Sequence, residues 1–383
     1  MELAVSFPRK ESLIVMSATQ LPVSPLIGND PVSPELRARL SAAKEALGSR
    51  VLILGHHYQR DEVIEFADVR GDSLDLAMRA KRTSGVEYVI FCGVHFMAET
   101  ADILTPKDVR VILPDMRAGC SMADMADIDQ VEDAWEVLTR ATNKKIIPIT
   151  YINSTAALKA FCGRHGGAVC TSSNARNVVK WAFTQGEKLL FFPDQHLGRN
   201  TCFDIGIPLD DMLVYDPHNP HERAGGNDPA LYDQKRVFLW RGHCSVHQNF
   251  SPSHPDVMRA RFPGIKILVH PECQFEVVRK ADLVGSTRFI IDTVAKAPAG
   301  SRWAIGTEHH LVNRLAQEHP EQHITTLAPF ACQCSTMFRI SAEALADRLE
   351  EIVAGRDSNV ITVDDETRHW ATIALERMLD MRD

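Results

Sequence analysis

The stretch VLILGHHYQ, residues 51–59, carries a fold signal and a site signal together. Its apolar half suits a short buried strand, and it ends on His56 and Tyr58, two polar residues at i and i+2. Side chains alternate across a strand, so the two face the same way. The pattern returns twice. IIPITYINS (146–154) ends on Tyr151 and Asn153, and IKILVHPEC (265–273) ends on His270 and Glu272.

The likeness extends downstream of each strand. A hydroxyl-rich turn opens a helix-like segment in all three places: GDSLDLAMRAKR (71–82), CTSSNARNVVKWA (170–182) and VGSTRFIIDTVAK (284–296), with Ser73, Ser172 and Ser286 near the helix starts. A second strand follows each: YVIFCGVHFM, KLLFFPDQHLG and RWAIGTEHHL. In register, these carry His95, His196 and His309 at one equivalent column; a chain with 16 histidines can produce such a column by accident, so the three are not counted as site residues. Strands alternating with helices in this way predict parallel βα units.

Cysteines then fall into register. Cys120 lies 25 residues after His95 and Cys334 lies 25 after His309, whereas Cys244 lies 48 after His196. The excess matches VYDPHNPHERAGGNDPALYDQ (214–234), whose Pro, Gly and His content reads as a surface insertion. The expected fold is therefore α/β, with three similar small domains in a pseudo-threefold arrangement around a central site. The expected boundaries are a tail at 1–33, domains at 34–144 and 145–264, and a third at 265–383 that includes C-terminal helices.

Composition narrows the function. A net charge of −8 argues against nucleic acid or an anionic membrane as partner. No apolar run approaches the ~18 residues of a membrane span, and the N-terminal stretch has no signal-peptide core. Nine cysteines, an odd count without CxxC, argue against a disulfide framework and for a reducing, cytoplasmic setting. In open α/β sheets ligands bind beyond the carboxyl ends of the strands. Three such edges around one axis would gather the polar pairs, the helix starts and Cys120, Cys244 and Cys334 at one cavity. Helix starts with hydroxyls suit carboxylate or phosphate groups. Three thiolates without a fourth suit a cubane iron–sulfur cluster with one iron left open, whereas zinc would recruit a histidine or another cysteine.

The segments GHHYQ, GDSLDLA, FCGVHFMAETADIL, LPDMRAGCSMADM, YINSTAALKA, TSSNA, FPDQHLGRN, HPEC, GSTRFI and IGTE together, in this order, resemble the quinolinate synthase family. The resemblance implies condensation of iminoaspartate with dihydroxyacetone phosphate to quinolinate, with loss of phosphate and water, in de novo NAD biosynthesis. It implies a [4Fe–4S] cluster on Cys120, Cys244 and Cys334, its open iron acting as a Lewis acid. It assigns Tyr58, His270 and Glu272 to proton transfer. It assigns His56, Ser73, Tyr151, Asn153, Ser172, Ser286 and Thr287 to substrate binding, and Met97 to shape near the cluster. An L-aspartate oxidase would supply the iminoaspartate. The family's His-Tyr-Tyr reads His56-His57-Tyr58 here, which leaves His57 without a role.

Plainer readings compete. Cys92, Cys162, Cys170, Cys202 and Cys273 are expected as packing residues, and Cys332, two residues before a ligand, as a free thiol. The serines could be ordinary N-caps. Two other functions fit three lobes with one cysteine each: a reductase of the isoprenoid-pathway type, which would need electrons, and a non-catalytic iron–sulfur sensor. A sensor has no use for a convergent Tyr, Asn, His and Glu set.

Overall fold

The computed structural model describes residues 31–219 and 225–381. The expected N-terminal tail, up to residue 30, and the second half of DPHNPHER, from residue 220, lie outside the described residues.

Three separate sheets organise the chain, and each is built on the same four-strand order. The first joins β1 (Val51–His56), β2 (Val69–Gly71), β3 (Tyr88–Cys92) and β4 (Arg110–Ile112) in the order β2-β1-β3-β4, all parallel. The second uses β5 (Ile146–Tyr151), β6 (Ala168–Cys170), β7 (Lys188–Phe192), β8 (Met212–Tyr215) and β9 (Val237–Trp240) in the order β6-β5-β7-β9-β8. The third uses β10 (Lys266–Val269), β11 (Leu283–Val284), β12 (Arg302–Gly306) and β13 (His323–Thr326) in the order β11-β10-β12-β13. Helices between successive strands cover both faces, so β1, β3, β5 and β7 are buried along their whole length. That explains why they read as continuous apolar runs without alternation. The excess chain of the middle unit is spent on β8, an added edge strand, and the connection that follows it.

Backbone hydrogen bonds give the internal symmetry its register. The first residue of the helix after the third strand donates its N–H to a residue two before each expected ligand: His95 to Ala118 (2.8 Å), Gln195 to Gly242 (3.0 Å) and His309 to Cys332 (3.0 Å). The histidine column is thereby corrected. Gln195, not His196, corresponds to His95 and His309, and the middle interval to Cys244 is 49 residues. The same bonds place Cys332 where the other lobes have alanine and glycine. There its buried side chain joins the apolar core of the third lobe.

The chain beyond Ile340, which the sequence grouped with the third unit, packs on the other two. Helix Ala342–Val353 lies against helix Pro34–Leu47, and β14 (Val360–Ile361) adds an antiparallel edge to the first sheet beside β4. Helix Asp365–Asp380 packs on helix Ala156–Arg164 of the second lobe. There the two backbones meet closely, since a Cβ on Gly163 would stand 1.9 Å from the carbonyl oxygen of Trp370.

Candidate active site

The carboxyl edges of the three sheets open onto one central cavity, with about 670 Å³ of non-atom space when its open mouth is included. His56 and Tyr58 reach it from the end of β1, Tyr151 and Asn153 from β5, and His270 and Glu272 from the residues after β10. Ser73, Ser172 and Thr287 line it from helix starts, Cys120, Cys244 and Cys334 from three loops, and Met97 with Phe96, Val246 and Met337 supplies apolar wall. One expected residue is elsewhere. Ser286 caps helix Thr287–Ala295 by accepting from the Phe289 N–H (3.3 Å) and borders a separate groove. Ser73 and Thr287 are each the first residue of their helix, so the counterpart of Ser286 is the capping residue Asp72. His57 does not line the cavity; its carbonyl and that of Gln59 accept from Arg314 of the third lobe, which holds the loop carrying Tyr58.

The polar pairs share a local device. The Tyr58 N–H donates to His56 Nδ1 (3.1 Å), and the Glu272 N–H lies 3.4 Å from His270 Nδ1. Each ring therefore carries its proton on Nε2 in the neutral state. Burial drives both imidazoles down to about 3, so both are neutral near pH 7. Burial also raises Tyr58 and Tyr151 well above the ordinary phenol range, which keeps both protonated.

A chain of contacts crosses all three lobes. Tyr58 Oη lies 2.9 Å from Thr307 Oγ1 and 3.0 Å from Thr287 Oγ1, Thr307 Oγ1 lies 3.4 Å from His247 Nε2, and His247 Nδ1 lies 3.0 Å from Glu272 Oε2. The His247 ring also stacks on His270, with centroids 4.5 Å apart. Burial alone would push Glu272 up. The histidines beside it and the donors His247 and Tyr151 outweigh burial and hold the carboxyl below its usual range. An ionised carboxylate only accepts, so His247 donates to it from Nδ1. Asn153 Oδ1, by contrast, is buried with no partner and faces the cavity residues, an acceptor left for a ligand donor.

The three cysteines are held alike. Each opens a single helical turn, closed by N–H to carbonyl bonds from Asp124 to Cys120 (3.0 Å), Gln248 to Cys244 (2.9 Å) and Phe338 to Cys334 (3.0 Å). Backbone N–H groups of that turn point at each sulfur: Met122 and Ala123 at Cys120, His247 at Cys244, Thr336 and Met337 at Cys334. Behind Cys334, the buried Glu308 carboxylate caps helix His309–Glu318 and lies 3.4 Å from the Cys334 N–H. Burial pushes the Cys120 thiol up to about 12 and raises Cys244 and Cys334 as well, and neighbouring thiols add to it at Cys120 and Cys244. Three thiols on one cavity, neutral while nothing positive lies among them, are a donor set that a cationic metal group would hold as thiolates, and N–H groups aimed at sulfur are the surroundings such a group takes. Cys244, His247 and Glu272 also bring ligand atoms within 4.8 Å of one another, but His247 and Glu272 are already bonded to each other.

Comparison with known proteins decides the family. The family model described as "Quinolinate synthetase A protein" matches residues 38–380. The chain belongs to the quinolinate synthetase A family. A quinolinate synthase from Anoxybacillus flavithermus (strain DSM 21510 / WK1) is 55% identical over 345 residues, covering 90% of this chain and 93% of that protein. One from Bacillus anthracis is 54% identical over 346 residues, with the same coverage of both chains. As a member of the quinolinate synthetase A family the chain is an enzyme of NAD biosynthesis, and the reductase and sensor readings fall away. Family membership and the trio of half-buried cysteines on one cavity together point to a metal cofactor.

Sequence reasoning missed His247 and Thr307. Both are buried, and both matter through partners in other lobes, which repeat spacing cannot reveal. One signal was present and unread: each lobe's cysteine is followed directly by serine, at Ser121, Ser245 and Ser335.

Proposed function

We propose that the quinolinate synthase activity of this chain condenses iminoaspartate with dihydroxyacetone phosphate, releasing phosphate and water, around a [4Fe–4S] cluster held by Cys120, Cys244 and Cys334. The observation that carries the reading is the meeting of three lobes at one cavity, each contributing one cysteine and one polar pair. The open iron would supply Lewis-acid polarisation of a bound hydroxyl or carboxylate. Everything else is work for side chains. Ser73 and Thr287 at helix starts, with Ser172, receive carboxylate and phosphate oxygens. His56, Tyr151 and the unpartnered Asn153 Oδ1 orient the nitrogen-bearing substrate. Ser286 acts only through its helix cap.

Proton transfer falls to Tyr58, His270 and Glu272. Tyr58 is a neutral donor whose hydroxyl can be resupplied through Thr307 and His247, with Glu272 balancing charge on His247 at the far end. Held below its usual range, the Glu272 carboxyl stays ionised as an accepting and orienting group in the resting site, and becomes a base only once a bound substrate has displaced one of its donors. In chain order we propose units at 34–144, 145–264 and from 265 onward, with the C-terminal helices bracing the first two. We further propose a cytoplasmic enzyme supplied with iminoaspartate by an L-aspartate oxidase. Among the described residues no helix is long and apolar enough to cross a membrane.

Anaerobic metal analysis and turnover test the reading together. About four irons and four sulfides per chain are expected, with quinolinate formed from the two substrates without added electrons. A fully loaded sample that forms none would overturn it.

A further inference from the structure

A second concavity lies between the second and third lobes, back to back with the central cavity. Its wall includes Ser173, Arg176, Pro271, Ser286, Arg288 and Lys296. The boundary between the two spaces is one residue thick at three points. Ser173 and Ser172, Pro271 and Glu272, and Ser286 and Thr287 are chain neighbours, the first of each pair on the groove and the second on the cavity. Ser172 borders both.

The charge of the groove runs against that of the molecule. Its two carboxylates are matched, Asp204 by Arg279 (3.0 Å) and Asp292 by Arg288 (3.0 Å), and Arg288 also reaches Asp75 (3.4 Å). Arg176 and Lys296 are exposed and form no ion pair among the described residues. A chain of net charge −8 thus keeps two uncompensated cations on the outer side of the wall shared with its cavity. Small dianions, whether phosphate ester or dicarboxylate, would be repelled by most of this surface and gathered here.

We propose that this groove is the anteroom through which the anionic substrates enter, with Arg176 and Lys296 as its electrostatic guides. Passage occurs where the wall of Ser172, Pro271 and Ser286 parts. The inference rests on the substrates proposed above and adds their route.

The test is the double variant Arg176→Gln/Lys296→Gln, assayed as the cluster-loaded full chain. Each substrate is varied in turn from low to physiological ionic strength. A second double variant, Lys107→Gln/Arg140→Gln, makes the same change of net charge at exposed sites outside both spaces. The expected result is a loss of about three- to tenfold in kcat/KM at low salt for the groove variant, with kcat kept and the salt dependence flattened. The control should follow the wild type. A drop for one substrate alone assigns the groove to the phosphate ester or to the dicarboxylate. Unchanged kcat/KM, an equal loss in the control, or a fall in kcat alone overturns the proposal. Binding is read separately by broadening of the 31P signal of dihydroxyacetone phosphate, with uncharged dihydroxyacetone as the comparison ligand in proton spectra. Broadening that weakens in the groove variant supports the groove even if no quinolinate is formed, and broadening equal in all three proteins refutes it.

Discussion

Replacing Glu272 by Gln removes one charge and almost no volume from a side chain that is 2% exposed. The carboxylate accepts from His247 at Oε2 (3.0 Å) and is approached by the Tyr151 hydroxyl. A carboxamide is uncharged and has one accepting oxygen in place of two, so its NH2 end accepts from no donor. A lost hydrogen bond to a charged group is worth about 2 kcal/mol, or roughly thirtyfold in rate if the bond is needed in the transition state. Removing a general acid or base costs a further ~10²- to 10⁴-fold. Turnover should therefore fall by at least about 10³, with cluster absorbance and iron content unchanged. The assay is anaerobic quinolinate formation, beside iron analysis of the same preparation. A variant within about threefold of the wild type, its cluster intact, would remove Glu272 from the chemistry and with it the far end of the contact chain from Tyr58.

Other outcomes follow from neighbouring observations. Cys334→Ala should abolish cluster binding, whereas Cys332→Ala, which restores the alanine found at the matching place in the first lobe, should keep it; the reverse pattern in iron content would break the register of the third lobe. Gly163→Ala should cost about 3 kcal/mol or more in urea unfolding, because a Cβ there meets the Trp370 carbonyl at 1.9 Å; a neutral change would mean that the last helix can shift away cheaply. His56 and His270 are neutral when folded, with values lowered to about 3 from an ordinary 6.5. The unfolded chain binds their protons first as pH falls. Their contribution is therefore whole above about pH 6.5 and declines below it, losing roughly 2 kcal/mol for each by pH 5. Urea midpoints of the metal-free protein at pH 7 and 5 should differ accordingly, and equal midpoints would refute the buried neutral state.

Much of the fold was legible because parallel strands covered on both faces must read as apolar runs, and β1, β5 and β10 each end on polar pairs that interrupt them. The cysteine spacing was legible for the same reason, since equivalent loops of the first and third lobes have equal length. What escaped was whatever depends on contacts between lobes. His247 lies three residues after Cys244 and looks like any helix residue until Glu272 of another lobe faces it. Ser286 was placed in the cavity because hydroxyls at a helix start look alike in sequence; the distinction between cap and first turn is a matter of backbone angle. The slip from Gln195 to His196 arose where one adjacent histidine offered itself as a match to two others.

The bond between His247 and Glu272 belongs to two lobes, and it spans the seam beside the groove. On the proposed route, a parting of that seam would draw the two groups apart and interrupt the contact chain between them. The proposed proton path would then be whole only in the closed enzyme. For the proposed imine substrate, open to hydrolysis, such an interlock would be protective, since the groups that act on it would be assembled only with bulk water shut out.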